Sequence, residues 1–382
     1  MAANLSEHRP FQLEVDQPSR SVARAGTDRL PGLDGLRAIA VILVLLLHFC
    51  PPFPSGSFLN TIIARGGFGT DIFFVLSGFL ITHLLLREEK SHGRITLRLF
   101  YFRRALRILP PLLLYLLFLF VVANTGAIYV PNQDFFAGLL FFRNFGGISK
   151  ETAHLWTLGI EEQFYLAWPF LLVLIPGTRW RFALLAGVIL ASPFWRQLNY
   201  YFAGGAWNVD PWRTDLRIDP IAIGALLALM RFTPTTRKYL VYSSVRGLWL
   251  TGAALLFLSF ALLTNLLEIR VFRAFLFSFN WMCVAIIINC AIQDGGSPLT
   301  SLLELGPLVW IGKLSYSWYL WQQPFASSIG MTPLWFRKFP LGLAFAFILA
   351  VCSYYCVERP LLGLRRKLHR DANTKGSLHT LA

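Results

Sequence analysis

The stretch LPGLDGLRAIAVILVLLLHFCPPF, from Leu30 to Phe53, constrains the fold more than any other part of this chain. An unbroken apolar run from Ala38 to Leu47 follows Arg37, and the run ends at His48 and the prolines beyond it. A run of this kind with a cation at one end is typical of a short membrane-spanning helix. At a rise of about 1.5 Å per residue, Arg37 and His48 lie about 16 Å apart along the helix axis. Arg37 can therefore lie at a membrane surface while His48 lies inside the bilayer.

Two interpretations of His48 follow from this stretch. In the first, the imidazole is neutral, hydrogen-bonded to a neighbouring helix and structural. In the second, it is the reactive group of a site inside the membrane, because an ionisable side chain at that depth is costly and commonly functional. The first helix alone does not decide between them, so the rest of the chain has to.

The composition is that of a polytopic membrane protein. The 382 residues are 55% hydrophobic and 14% charged, and the mean hydropathy is +0.54, which argues against a soluble enzyme. A formal charge of +15 would suggest a nucleic-acid partner in a soluble protein, but here the basic residues lie between apolar runs and membrane topology explains them. The five cysteines include no CxxC pair, so we predict neither a metal site nor a disulfide framework.

Ten apolar segments predict an all-α bundle of about ten transmembrane helices. They lie near 36–52, 69–87, 108–125, 161–177, 181–198, 216–231, 246–266, 271–292, 306–328 and 339–358. Every second gap is basic, which predicts an even number of crossings with both termini in the cytoplasm. Two places break the pattern, because 293–305 contains no Lys or Arg while Arg337 and Lys338 fall on the outer side.

The remaining segments complete the predicted organisation. Residues 1–30 are polar and irregular, which predicts a flexible cytoplasmic tail and not a cleavable signal peptide. Residues 31–362 form the membrane domain, and 363–382 form a second, basic cytoplasmic tail. The gap 126–160 contains DFFAGLLFF, which is too short to cross a bilayer and predicts a re-entrant or interfacial piece.

A basic stretch precedes the third apolar segment. In LRLFYFRRALRILPP, Arg104 and Arg107 share one face if the stretch is helical. The cytoplasmic positive charge and anionic lipid headgroups account for most such clusters. The functional interpretation is a cytoplasmic grip on a polyphosphate, since guanidinium groups match phosphate oxygens in a bidentate manner.

Two acids mark the predicted outer entry of the fourth segment, in HLWTLGIEEQFYLAWPF. Glu161 and Glu162 are favoured there by the helix dipole, so one of them could be only a cap. Two acids with Gln163 and Tyr165 leading into a membrane helix are more than a cap requires. Ser77 and Gly78 in the second segment are interpreted as a small-residue surface for helix packing.

A polar aromatic helix is predicted near the end of the chain. The stretch WIGKLSYSWYLWQQPF contains Lys313, Ser315, Tyr316, Tyr319 and Gln322. Such a surface suits a carbohydrate or a polar tunnel, although Trp and Tyr are also ordinary membrane anchors.

Together these stretches resemble the acyltransferase-3 family of integral-membrane O-acyltransferases. The matching pieces occur in order and cover nearly the whole chain after the tail: LDGLRAIAVILVLLLHF, GFGTDIFFVLSGFLI, FYFRRALRILPP, HLWTLGIEEQFYLAWP, RTDLRIDPIAIGALLA, WIGKLSYSWYLWQQP and VERPL. The first piece carries the family's signature, an Arg and a His separated by ten residues. Departures are small, with Thr157 where Ser is expected and GTD where GVD is commoner.

The resemblance implies a role for each matching position. Arg37 corresponds to the basic residue of the signature and His48 to its catalytic histidine. Arg104 and Arg107 match a pair of arginines linked to acyl-CoA handling, and Glu161 and Glu162 match the family's paired acids. Many relatives also carry an extracytoplasmic hydrolase-like domain that this chain lacks, so we expect transfer to finish within the membrane part or with a partner enzyme outside. The resemblance implies a bacterial inner-membrane location.

The expected reaction moves an acyl group, acetyl before larger groups, from cytosolic acyl-CoA to a hydroxyl of a sugar or glycan. In this hypothesis Arg37, Arg104 and Arg107 bind the CoA phosphates. His48 acts as general base or acyl relay, which an unperturbed imidazole pKa of about 6.5 suits. Glu161 or Glu162 holds the His48 tautomer or orients the acceptor. We expect that the reaction needs no metal ion and that membrane lipid surrounds the protein.

Two alternatives come from other classes. A transporter would carry an acyl donor or a lipid across the membrane without forming the ester. A structural scaffold is disfavoured by the intramembrane histidine and the ordered charged entries. Cleavage of acyl-CoA in the presence of an acceptor separates the enzyme from the transporter.

Overall fold

The structure is a computed structural model, and it describes residues 30–51, 63, 66–202, 212–245, 253–254, 270–293, 298–326 and 334–363. Within these ranges all regular structure is helical and no strand occurs. The helices are α1 (Leu33–Phe49), α2 (Phe68–His92), α3 (Leu97–Asn124), α4 (Asn132–Leu139), α5 (Leu155–Leu174), α6 (Thr178–Phe202), α7 (Thr214–Arg217), α8 (Asp219–Phe232), α9 (Pro234–Val245), α10 (Arg270–Gln293), α11 (Pro298–Leu303), α12 (Gly306–Trp321) and α13 (Leu341–Ser353). The predicted all-α class is confirmed.

Four of the described helices are long and apolar enough to cross a membrane. They cover Phe68–His92, Leu97–Asn124, Phe275–Ile292 and Leu341–Gly363. The first helix, α1, has 17 residues, so it extends about 25 Å against a hydrocarbon core of about 30 Å. The predicted count of ten crossings and the cytoplasmic location of the termini stay predictions.

The predicted segments match helices in place but not always in length. The helices that match the third and fourth predicted segments are α3 and α5. They begin at Leu97 and Leu155, well before the predicted starts at 108 and 161. The segment 216–231 is divided between α7 and the 14-residue α8. The predicted segment 246–266 lies outside the described residues apart from 253–254. In the gap 126–160, α4 has only eight residues, too few to cross a bilayer.

Glycine contacts set the centre of the bundle, where α2 crosses α8. A Cβ on Gly78 of α2 would overlap the carbonyl oxygen of Ile221, and a Cβ on Gly224 of α8 would overlap that of Val75. The two backbones therefore touch directly, as small residues allow between membrane helices. The predicted packing role of Gly78 is confirmed.

The first helix, α1, packs between α2 and α12 at the centre of the molecule. Gly69 of α2 lies against the carbonyl of Ala40, and Gly312 of α12 lies against the carbonyl of Asp34, so no side chain fits at either crossing. Ala38, Ala40 and Val41 on α1 are fully buried. This arrangement places Arg37 and His48 inside the bundle, next to α2 and α12.

Candidate active site: an arginine-lined cavity inside the bundle

A cavity of about 90 Å³ lies between α1, α2, α3, α5 and α12. Three guanidinium groups and one carboxylate line it, together with hydroxyl and aromatic side chains. The lining residues are Arg37, Thr70, Phe73, Phe74, Ser77, Leu80, Ile81, Arg104, Arg107, Ile108, Leu155, Thr157, Leu158, Glu161, Tyr165, Ser315, Tyr316, Tyr319 and Leu320. Five of the motifs selected from the sequence therefore meet at one place.

The third helix supplies two of the three arginines. Because α3 begins at Leu97, Arg104 and Arg107 lie inside the helix and not in a loop before it. They are three positions apart, so both point to the same face, and both line the cavity. Arg98, on the same helix, is exposed. The basic stretch thus divides into a surface part and a part that faces the cavity.

The cavity arginines differ in their ion pairs. Nε and Nη2 of Arg104 donate to Oε1 of Glu162 at 3.1 and 2.9 Å, and the guanidinium lies 3.7 Å from the centre of the Tyr165 ring. Nη1 of Arg37 lies 3.5 Å from Oδ1 of Asp34. Arg107 has no carboxylate within 4 Å in the described part of the chain. One cation at the cavity is therefore left for an anionic group of a ligand.

The paired acids have different positions. Oε1 of Glu161 accepts a hydrogen bond from the hydroxyl of Ser77 at 2.7 Å, and Glu161 lines the cavity. Glu162 instead pairs with Arg104. Ser77, interpreted from the sequence as a packing residue, is a polar residue of the site. Its signal was a hydroxyl within an apolar run.

The predicted separation of these groups is wrong. The sequence placed the glutamates at an outer mouth and the arginines at an inner one, whereas Arg104 and Glu162 are in direct contact. The predicted third segment began at 108, directly after Arg107, because a hydropathy profile ends a helix where charge appears. Ion pairing with Glu162 allows α3 to carry Arg104 inside the bundle, so α3 begins earlier. The predicted fourth segment began at Glu161 itself, whereas α5 begins six residues before it, at Leu155.

His48 lies outside the set of described residues that line the cavity. Its Nδ1 is 2.8 Å from Oε1 of Gln322, just beyond the end of α12. With that oxygen as acceptor, Nδ1 carries the hydrogen and Nε2 keeps its lone pair, the form a general base needs. The sequence hypothesis gave this supporting position to Glu161 or Glu162, but the structure gives it to Gln322, since the glutamates are engaged with Ser77 and Arg104.

A layer of hydroxyl groups separates the cavity from the histidines. The Thr157 hydroxyl donates to the Tyr319 hydroxyl at 2.8 Å, and Tyr319 donates to the carbonyl of His154 at 3.0 Å. Thr157 and Tyr319 both line the cavity. Lys313, on the same helix as Tyr319, is exposed and takes no part. The polar aromatic helix therefore forms one wall of the cavity.

The segment before α5 is held in place by buried charges. Asp134 of α4, fully buried, accepts hydrogen bonds from the backbone N–H groups of Ile148 and Ser149. Arg143 donates to the Thr152 hydroxyl at 2.9 Å and to the Ser149 carbonyl at 2.8 Å. These contacts fix the backbone up to the start of α5. From the sequence, this segment was predicted only to be a re-entrant or interfacial piece, too short to cross a bilayer.

The charges of the RTDLRIDP stretch form a separate cluster. Arg217 pairs with Asp71 of α2 at 3.0 Å, and Arg196 pairs with Asp219 at 2.8 Å. Asp71 and Asp219 are buried, so the first pair holds α7 against α2 and the second holds α6 against α8. None of these four residues is among the described residues that line the cavity. In the described ranges, no group of three or more His, Cys, Asp or Glu is placed to hold a metal ion.

Comparisons with known proteins agree with this arrangement. The model of the acyltransferase-domain family matches residues 30–359. The chain is 31% identical over 373 residues to the peptidoglycan O-acetyltransferase OatA of Listeria monocytogenes, covering 87% of this chain and 56% of that protein. It is 33% identical over 364 residues to a putative peptidoglycan O-acetyltransferase, YrhL, of Bacillus subtilis, covering 87% and 55%.

A putative O-acetyltransferase of Staphylococcus aureus is 29% identical over 368 residues, covering 87% of this chain and 57% of that protein. The chain thus spans little more than half the length of the curated relatives it matches. No solved structure matches it. The family model covers all the motifs that meet at the cavity, and the chain belongs to the family of membrane proteins with this acyltransferase domain.

Proposed function

We propose that this protein is a membrane O-acetyltransferase that moves an acetyl group from acetyl-CoA to a hydroxyl of a cell-wall glycan. The observation that carries the proposal is the convergence of Arg37, Arg104 and Arg107 on one cavity, with Arg107 unpaired by any carboxylate among the described residues. Cations are rare inside a membrane protein unless they serve a ligand or a partner charge. CoA supplies several phosphate oxygens, which suit guanidinium groups.

The names of the relatives support acetyl as the transferred group and a glycan as the acceptor, because they specify O-acetylation of peptidoglycan. The cavity is lined by three guanidinium groups, which suit the phosphates of the donor.

The donor and the acceptor would meet near His48. In this proposal the arginines hold the phosphates, and the flexible pantetheine arm carries the thioester past Tyr319 towards His48, about 16 Å along α1 from Arg37. Nε2 of His48 takes the proton of the acceptor hydroxyl while the hydroxyl oxygen attacks the thioester carbonyl. The new C–O bond forms, the C–S bond breaks, and the imidazolium returns the proton to the CoA thiolate.

The test is acetyl-CoA cleavage by the detergent-purified protein, with and without peptidoglycan fragments released by a muramidase. We expect fragment-stimulated release of CoA by the wild type and its loss in His48→Ala, with acetyl ester recovered on the fragments. Acetyl-CoA that binds but is never cleaved would contradict the proposal and favour a transporter.

A further inference from the structure

His154 is a second buried imidazole that the proposed reaction leaves without a task. It precedes α5, and only 3% of its surface is exposed. Neither Nδ1 nor Nε2 makes a hydrogen bond that meets the usual distance and angle limits within the described part of the chain, although the backbone of Leu320 lies near the ring. A neutral imidazole has one N–H donor and one acceptor, and each unsatisfied buried group costs about 1–3 kcal/mol. Such a cost is commonly retained where a ligand satisfies the group in the working state.

The position of His154 connects it to both halves of the site. Its ring packs 5.5 Å from the Tyr319 ring and 5.4 Å from the Tyr115 ring, and its carbonyl accepts the Tyr319 hydroxyl. Tyr319 lies three residues before Gln322, which holds His48. Gln322 keeps helical dihedral angles, so Tyr319 and Gln322 share one face at this end of α12. The two imidazoles therefore lie against neighbouring positions of one helix.

The hydrogen-bonding capacity of the two ring nitrogens of His154 indicates which kind of ligand it binds. A phosphate or a thioester carbonyl only accepts hydrogen bonds, so it would satisfy one ring nitrogen and leave the other without a partner. A hydroxyl both donates and accepts. Adjacent hydroxyls of a sugar ring can satisfy both nitrogens at once. If this position served only for packing between Tyr115 and Tyr319, Phe would suit it better, because Phe buries no polar atoms.

We propose that His154 binds hydroxyl groups of the glycan acceptor and holds one of them beside His48. This inference rests on the proposed acetyl transfer and adds the residue that recognises the acceptor. His154 takes no proton and forms no covalent bond in this role. It contributes two hydrogen bonds that orient the attacking oxygen.

The test compares His154→Phe with the wild type and with His83→Phe as the matched control. His83 is another partly buried histidine against aromatic rings, between Phe79 and Phe232, and it is not among the described residues that line the cavity. For His154→Phe we expect the KM for muramidase-released peptidoglycan fragments to rise at least tenfold, while the KM for acetyl-CoA stays unchanged. His83→Phe should change neither. His154→Gln, which restores a donor and an acceptor, should recover part of the acceptor affinity.

Thermal unfolding of the same variants separates binding from a structural role. Removing two unsatisfied buried nitrogens should leave the unfolding temperature of His154→Phe equal to that of the wild type or higher. A lower unfolding temperature, or an unchanged KM for the fragments, would overturn this inference while leaving the acetyl transfer intact. A wild-type protein that transfers no acetyl group at all would overturn the proposed function and the inference together.

Discussion

Arg104 and Arg107 lie one turn apart on α3, yet the structure gives them different tasks. Arg104 is neutralised by Glu162 and stacked on Tyr165, so it is part of the packing of the bundle. Arg107 faces the cavity with no carboxylate within 4 Å in the described residues. Substitutions of the two should therefore separate stability from ligand binding.

Arg107→Gln is predicted to weaken acetyl-CoA binding about 10- to 100-fold, because a hydrogen bond to a charged group contributes about 1.5–3 kcal/mol. Its unfolding temperature should stay close to that of the wild type. Arg104→Gln should lower stability by about 1–3 kcal/mol, since it leaves the partly buried Glu162 without its partner. Equilibrium binding and thermal unfolding in detergent measure the two effects.

The control is Arg98→Gln, an exposed arginine on the same helix. It should leave acetyl-CoA binding unchanged. Equal losses of binding in Arg98→Gln and Arg107→Gln would mean that the basic stretch acts only through general surface charge, for example on anionic lipid, and would contradict the assignment of Arg107.

Substitution of Gln322 gives another prediction at the scale of single residues. Its Oε1 holds Nδ1 of His48, which fixes the tautomer that leaves Nε2 as the base. In Gln322→Leu this hydrogen bond is lost and the orientation and tautomer of the ring are less firmly held, so we expect kcat to fall about 10- to 100-fold, a part of the roughly 10²–10⁴-fold that general-base catalysis contributes. Gln322→Glu keeps an acceptor and should retain most of the rate.

Steady-state kinetics on both Gln322 variants provide the measurement. The KM for acetyl-CoA should not change in either one, because Gln322 is not among the described residues that line the cavity. Full kcat in Gln322→Leu would show that the orientation of His48 is set by something other than this hydrogen bond.

At the scale of elements, the α2–α8 crossing determines whether the cavity forms. Gly78 follows Ser77, whose hydroxyl holds Glu161, so any separation of α2 from α8 moves a wall of the site. A methyl group on Gly78 meets the backbone of Ile221, which cannot move aside as a flexible side chain can. The packing of this pair and the geometry of the site are therefore coupled.

We predict that Gly78→Ala lowers stability by about 1–3 kcal/mol, as overpacking does. Gly187→Ala provides the control on α6, where a Cβ has open space and the residue is exposed. Because Ala has the higher helix propensity, Gly187→Ala should be neutral or stabilising by up to about 1 kcal/mol. Thermal unfolding followed by Trp fluorescence compares the two, and an equally stable Gly78→Ala would contradict the direct backbone contact.

The elements also show how far the sequence could be interpreted. Periodicity and hydropathy predicted the helical class and the approximate position of most described helices. They placed the start of α3 too late, because hydropathy records the cost of each charge and not the partner that offsets it. They also placed the start of α5 six residues too late, at Glu161. The contact between Arg104 and Glu162, 58 residues apart in the chain, depends on tertiary packing that no local pattern specifies.

At the scale of the molecule, buried charges occur in several clusters and not only at the cavity. Arg217 pairs with Asp71 and joins α7 to α2, and Arg196 pairs with Asp219 and joins α6 to α8, while the cavity arginines lie on α1 and α3. The sequence identified the cavity arginines and glutamates as candidate site residues, and it gave the RTDLRIDP stretch only as part of a matching piece. It could not assign them to separate clusters, nor place Gln322 beside His48, because those pairings join distant segments of the chain.

We expect the bundle to connect a donor site at the arginines with an acceptor site at His48, so that the thioester of a donor bound at the arginines reaches the histidine. Arg37 and His48 lie on one helix about 16 Å apart, and Thr157 and Tyr319, which line the cavity, form a hydrogen-bond chain to the carbonyl of His154. The donor and the acceptor would then approach from opposite faces of the membrane.

Sided proteoliposomes test this claim most directly. Peptidoglycan fragments are enclosed in the vesicles, and acetyl-CoA labelled in its acetyl group is added outside, with His48→Ala vesicles as the control. The account predicts labelled acetyl ester on the enclosed fragments for the wild type and none for His48→Ala. Label that reaches fragments only when donor and fragments are on the same side, or that stays on CoA throughout, would contradict it.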